Sequence, residues 1–112
     1  MSADNISLTF AALSDPTRRA ILARLADGES SVTDIAKPFK ISLPAITKHL
    51  KVLERSGLLE RTIRGREHHL RLAPTTLQSA TAWIDEQRRF WTASFDRLDG
   101  VLAESNGKDP LP

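Results

Sequence analysis

The chain has 112 residues, 40% hydrophobic and 27% charged, with a formal net charge of +2, which is enough for a single domain with a modest core. It contains no cysteine and no tyrosine, which excludes a disulfide framework, a thiolate metal site, a thiol switch and a cysteine nucleophile. No apolar run approaches the roughly 20 residues of a membrane span, and the start lacks the basic-then-apolar pattern of a secretory signal, so no membrane partner and a cytoplasmic location are expected.

Residues 1–5 read as a frayed start. Residues 6–13 follow as a short helix with Ile6, Phe10 and Leu13 in phase. Asp15 as N-cap and Pro16 at the first helical position open a second helix, running to about Asp27, with Ile21, Leu22 and Leu25 buried and Gly28 as terminator. Arg18 and Arg19 fall in its first turn, as solvated charge or as phosphate contacts. A third, shorter helix spans residues 30–36, capped by Ser31 or Thr33, and Pro38 must end or bend it because proline has no N–H to donate.

The fourth helix carries the strongest signal. Ser42 can accept a backbone N–H of the first turn, Pro44 sits where a missing N–H does no harm, and Gly57 can close the far end in a left-handed conformation. At about 100° per residue, Ile46, Leu50 and Leu53 form one narrow stripe. Pro44, Lys48, Lys51 and Arg55 lie opposite, with Thr47 on a flank. Two short helices joined by a tight link, the second basic on its outer face, form a helix-turn-helix. His49, at the edge of the buried stripe, fits a hydrogen-bonded packing residue better than a base reader.

After Gly57 the period changes to two. Residues 58–64 and 67–72 are strand candidates around Gly65-Arg66, a β-hairpin with Arg64 and Arg66 at its tip. Adjacent His68 and His69 on a strand point to opposite faces, so within one subunit they cannot clamp one ion. From Pro74 or Thr75 to about Glu104 runs the longest helical pattern, with apolar residues on two stripes. Leu77, Ala80, Ile84, Trp91, Phe95, Leu98 and Leu102 make one; Trp83, Phe90 and Val101 lie about 100° away. One stripe can cover the chain's own core, and the second calls for another partner, most economically the same helix of a second copy. Residues 105–112 read as a disordered tail, leaving residues 1–104 as a single domain.

Charge is segregated. Residues 37–71 hold nine cations and three acids, a net +6, and the remainder carries −4. A basic middle between acidic ends is the footprint of a nucleic-acid-binding face. Catalysis is disfavoured: there is no zinc-type histidine spacing and no glycine-rich phosphate loop, and the acids are scattered over helix surfaces.

The order of helix, helix, helix-turn-helix, hairpin wing and long last helix is mainly α with a small β-hairpin, the winged helix-turn-helix arrangement. Leu13-Ser14-Asp15-Pro16-Thr17-Arg18-Arg19-Ala20-Ile21-Leu22, the run from Ile41 to Leu53, Gly57-Leu58-Leu59 and Arg64-Gly65-Arg66 resemble the arsenical-resistance-repressor (ArsR) family of bacterial transcription regulators. The similarity covers roughly residues 6–103. It implies a homodimer joined by its first and last helices, with Ile6, Phe10, Trp83, Phe90 and Val101 as candidate interface residues. It also implies a repressor that sets its fourth helix in the major groove of a palindromic operator in double-stranded DNA while the wing grips flanking DNA. Thr47 and Lys48, with Pro44 and Ala45 against thymine methyls, are candidates for base readout. Ser42, Lys51, Arg55, Arg64 and Arg66 are candidates for phosphate or minor-groove contacts.

Many relatives release DNA on binding a metal. Here their metal-site cysteines have no counterpart in residues 32–39, and the metal-binding pattern of the last helix is absent. No metal and no cofactor are therefore expected, and the resemblance to cysteine-free members implies an organic small-molecule effector or none. The rival reading is a winged-helix module that docks to protein without reading DNA, although such a module has no need of +6 in one segment.

Overall fold

A computed structural model describes residues 3–108, with side chains described over residues 5–104. In chain order the elements are α1 (Ala3–Leu13), α2 (Pro16–Leu25), β1 (Ser30–Ser31), α3 (Val32–Ala36), α4 (Leu43–Arg55), β2 (Leu59–Arg64), β3 (Glu67–Leu72) and α5 (Pro74–Lys108). The helix-turn-helix and hairpin stand where the sequence places them, and three differences appear. Helix α1 begins at Ala3, so Ala3–Asn5 are helical rather than frayed, while Met1 and Ser2 lie outside the described residues. Helix α5 continues to Lys108, four residues past the expected end, and residues 109–112 of the expected disordered tail lie outside the described residues. The third difference is β1. Ser30 and Ser31 pair antiparallel with Leu70 and His69, making a three-stranded sheet of order β1-β3-β2.

The chain divides into two compact units, Met1–Ala80 and Thr81–Pro112, where the sequence reads as one domain. The first unit owns the core. Ala12, Ile21, Leu25, Ile35, Ile46, Leu50, Leu53, Leu58, Leu59 and Leu70 form one buried cluster, with Leu22, Phe39 and Leu77 packed against it. On α1 the buried face is Thr9 and Ala12, not the stripe of Ile6, Phe10 and Leu13; Phe10 is exposed and the other two are half-buried. Small side chains at Thr9 and Ala12 let α1 approach α2 and α4 closely, and the Thr9 hydroxyl stays satisfied by donating to the Asn5 carbonyl at 2.9 Å.

The second unit is the length of α5 beyond Ala80. Large side chains of both apolar stripes are exposed: Ile84, Trp91, Phe95, Leu98 and Leu102 on one, and Trp83, Phe90 and Val101 on the other. At the start of the first stripe, within the first unit, Leu77 packs against the core and Ala80 is buried. No helix among the described residues is long and apolar enough to cross a membrane.

Candidate nucleic-acid interface

Helix α4 is fixed at both ends and along one side. The Ser42 hydroxyl accepts the Ala45 N–H at 3.3 Å and Pro44 occupies the first turn. At the far end Leu58 N–H reaches the Leu53 carbonyl and Gly57 N–H the Glu54 carbonyl, both at 3.0 Å, with Gly57 at φ +80°. That pair of bonds is a Schellman closure. A Cβ at Gly57 would come within 2.8 Å of the Thr76 hydroxyl, so glycine is required there for space as well as for conformation. Ile46, Leu50 and Leu53 are fully buried. Pro44, Lys48, Lys51, Arg55 and the capping Ser42 are exposed, with Ala45 and Thr47 half-buried on the flank. Ile41 and Leu43, at the helix entry, add exposed aliphatic surface.

Two arginines of the first turn of α2 hold the end of α1, and Arg18 also reaches α4. Arg18 donates from Nε to the Ala12 carbonyl at 2.7 Å and from its terminal nitrogens to the Ala11 carbonyl at 3.0 Å and His49 Nδ1 at 3.3 Å. Arg19 donates to the Leu13 carbonyl at 2.7 Å. Both arginines thus satisfy the open carbonyls at the end of α1, a role the sequence reading did not weigh. His49 Nδ1 also lies 3.8 Å from the Asp15 carboxylate. The Asp15 carboxylate caps α2 by accepting the Arg18 N–H at 3.0 Å. That bond is the chief reason its carboxyl titrates below the ordinary carboxylate value, with the charges of His49 and Arg18 adding to it.

The wing is β2 and β3. Its two-residue turn has Gly65 at φ +63° followed by Arg66 at negative φ, the sign pattern of a type II′ turn. Arg61 forks onto the Glu54 carboxylate at 2.6 and 3.1 Å and donates to His68 Nδ1 at 2.8 Å, tying the last turn of α4 to both strands. The Glu54 hydrogen bonds hold the Arg61 guanidinium above its ordinary value, against partial burial. His69 lies between Glu67, 2.9 Å from Nε2, and Glu29, 3.5 Å from Nδ1.

Ion pairing sorts the nine cations of the basic segment. Lys37 pairs with Asp34, Arg61 with Glu54, Arg64 with Glu29 and Arg71 with Glu60. Lys40, Lys48, Lys51, Arg55 and Arg66 have no acidic partner among the described residues, and all five are exposed. They sit at the entry to α4, along its outer face and at the tip of the wing. Of the expected cationic contacts, only Arg64 is paired with an acid among the described residues. Lys40 was legible as charge but not as a contact; its place directly before the helix was the available signal. Glu29 had no signal, because its partner Arg64 lies 35 positions away, and Glu54 had none because its pairing with Arg61 depends on how α4 turns into β2. An open cleft of about 580 Å³, lined by Thr33, Asp34, Arg61, Arg66, Glu67 and His68 among others, mixes both signs of charge and defines no ligand class. Among the described residues no three His, Asp or Glu side chains gather as metal ligands.

A helix-turn-helix domain family matches residues 13–62. The HTH-type transcriptional regulator Rv2034 of Mycobacterium tuberculosis is 38% identical over 88% of this chain and 88% of its own. The transcriptional repressor SdpR of Bacillus subtilis is 39% identical over 67% of this chain and 83% of its own. Among solved structures, an ArsR-like transcriptional regulator from Rhodococcus sp. RHA1 superposes with a TM-score of 0.76 at 30% identity, covering 88% of this chain and 92% of that one. A homodimeric winged helix-turn-helix DNA-binding domain from Mycobacterium bovis gives 0.62 at 26% identity, covering 78% and 82%. With a wing and basic helix of this geometry and relatives of this similarity, the chain belongs to the ArsR family of winged helix-turn-helix proteins and is a DNA-binding transcriptional regulator.

Proposed function

We propose that the protein is a cytoplasmic, non-enzymatic, homodimeric repressor that binds a palindromic operator, with α4 in the major groove and the wing on flanking DNA. The observation that carries the reading is the sorting of charge. Every cation of the basic segment away from α4, its entry and the wing tip is matched by a carboxylate, and those that are not matched all face outward. Lys48 and Thr47 read base edges, with Pro44 and Ala45 packing on thymine methyls. Ser42, Lys51, Arg55 and Arg66 take the backbone, and Arg64 is in reach of it. Such a division of labour fixes register through phosphates and leaves sequence to a few side chains.

Assembly follows from the second unit. An apolar face with two tryptophans and two phenylalanines exposed on one helix needs a cover, and a second copy supplies it. The homodimeric relative supports this reading. Trp83, Phe90 and Val101 are the interface candidates on α5, joined now by Trp91 and Phe95 of the other stripe, with Ile6 and Phe10 on α1. Repression accords with the name of the Bacillus relative, and occlusion of a promoter is the mechanism. A small-molecule effector, organic if there is one, would act by shifting the dimer between DNA-competent and incompetent states.

The test is an electrophoretic shift on DNA from upstream of the protein's own gene, titrated in salt. If Lys51, Arg55 and Arg66 of each subunit contact phosphates, six contacts give a log–log slope of about −5. Absence of binding, or binding indifferent to salt, contradicts the regulator and leaves the protein-docking module.

A further inference from the structure

Arg64 is the exception in the wing. It closes β2 beside the tip, facing Glu67 across the hairpin register, yet its guanidinium is held 2.9 Å from Glu29 Oε1. Glu29 comes from elsewhere, the loop between α2 and β1, just after Gly28 at φ +134°. The same carboxylate oxygen lies 3.5 Å from His69 Nδ1, which projects from the same face of the sheet as Arg64, because Thr62 opposes His69 and Arg64 stands two residues further along β2. The exposures are unequal: the Glu29 side chain is 26% exposed and that of Arg64 is 62%. The acid is anchored against the wing, while the arginine keeps its outer side open to whatever approaches.

We propose that Glu29 is a positioning residue that holds Arg64 in reserve, so that the wing meets DNA with Arg66 free and Arg64 transfers to a phosphate only where one comes close enough to replace the carboxylate. The inference rests on the wing facing DNA. Carboxylate and phosphate both match the planar fork of arginine, so one can be exchanged for the other at the same side chain. A half-exposed ion pair is weak enough for that exchange to be nearly balanced. Glu29 therefore lowers the affinity of the wing for any duplex without removing the cation, and the released carboxylate retains His69 as a partner.

The test measures binding of the full-length chain to a fluorescently labelled duplex of random sequence and to DNA from upstream of its gene, at several salt concentrations. Glu29→Gln should bind both about two- to five-fold more tightly. Its salt slope should steepen by about 0.9 for each subunit whose Arg64 now takes a phosphate. In the Glu29→Gln/Arg64→Ala double variant the gain should vanish. Glu60→Gln, which removes the same charge beside Arg71 on the same sheet, serves as the control for long-range field and should gain less. A Glu29→Gln protein with unchanged thermal midpoint and unchanged or weaker binding overturns the inference. So does a gain that survives Arg64→Ala or is matched by Glu60→Gln. If the unsubstituted protein binds neither duplex, the DNA-facing reading of the wing fails first and takes this inference with it; if it binds and Glu29→Gln changes nothing, the DNA-facing reading stands and only the role of Glu29 falls.

Discussion

Helices α4 and α5 are both amphipathic by sequence, but they use their apolar residues in opposite ways. On α4 three aliphatics are fully buried and every charged side chain on the far face is exposed, so the helix presents one finished surface outward. On α5 beyond Ala80 no described residue is fully buried, and eight large apolar side chains are exposed over both stripes. The first helix buries its apolar stripe within its own chain; the second leaves both of its stripes exposed. A periodic apolar pattern thus reports that burial is needed without saying who provides it, and only the charge on the opposite face tells a solvent-facing helix from one awaiting a partner.

The comparison can be pressed hardest through stability. Leu50→Ala, at the centre of the α4 stripe, should cost about 2–5 kcal/mol in urea unfolding, by an amount independent of protein concentration. Phe90→Glu on α5 should act through concentration instead. Size measurement should report a monomer, operator binding should be lost, and the unfolding midpoint should cease to rise with protein concentration. If Phe90→Glu still sediments as a dimer, the exposed face of α5 is not the interface.

Next come the effects on DNA. Lys48→Ala should cost about 1–3 kcal/mol on operator DNA and much less on random sequence. Equal losses on the two would move Lys48 from bases to backbone. Lys51→Ala or Arg66→Ala should weaken all sequences alike and flatten the salt slope by about 0.9 for each contact removed.

The smallest effect concerns two carboxylates at helix starts, the cap Asp15 and Asp34 in the first turn of α3. Asp15 and Asp34 titrate below the ordinary carboxylate value of 3.8, Asp15 chiefly through the Arg18 N–H and Asp34 chiefly through its hydrogen bond from Lys37. A carboxyl with a lowered value in the folded state contributes stability that is present above the unfolded value and lost as pH falls through the folded one. The urea midpoint should therefore drop below about pH 4, and Asp15→Asn should make that drop shallower. An unchanged profile would remove Asp15 from the acid response.

What the sequence made legible follows the same division. Helix α4 was readable to within a residue because cap, proline, apolar stripe and terminal glycine are all local signals, and Gly65 marked the hairpin for the same reason. Strand β1 escaped because two serines have no strand pattern of their own and owe their conformation to pairing with His69 and Leu70. On α1 the close packing against α2 and α4 falls to small Thr9 and Ala12, which carried no apolar signal of their own, while Phe10 is left exposed. Arg18 was visible as a cation, but its engagement with α1 and His49 depends on contacts across 6 to 31 positions in the chain. The candidate DNA contacts could be named from helical phase on α4, its cap and the hairpin tip. Which cations are matched by acids could not, since Glu29 and Arg64 stand 35 positions apart.

The central claim is that unmatched cations, rather than positive charge in general, grip DNA. The direct measurement compares two double variants that remove the same charge: Lys48→Ala/Lys51→Ala, from the open face of α4, and Lys37→Ala/Arg71→Ala, from pairs already matched by Asp34 and Glu60. The account predicts that the first loses operator binding and much of the salt slope, while the second retains both nearly in full. Equal losses would contradict it.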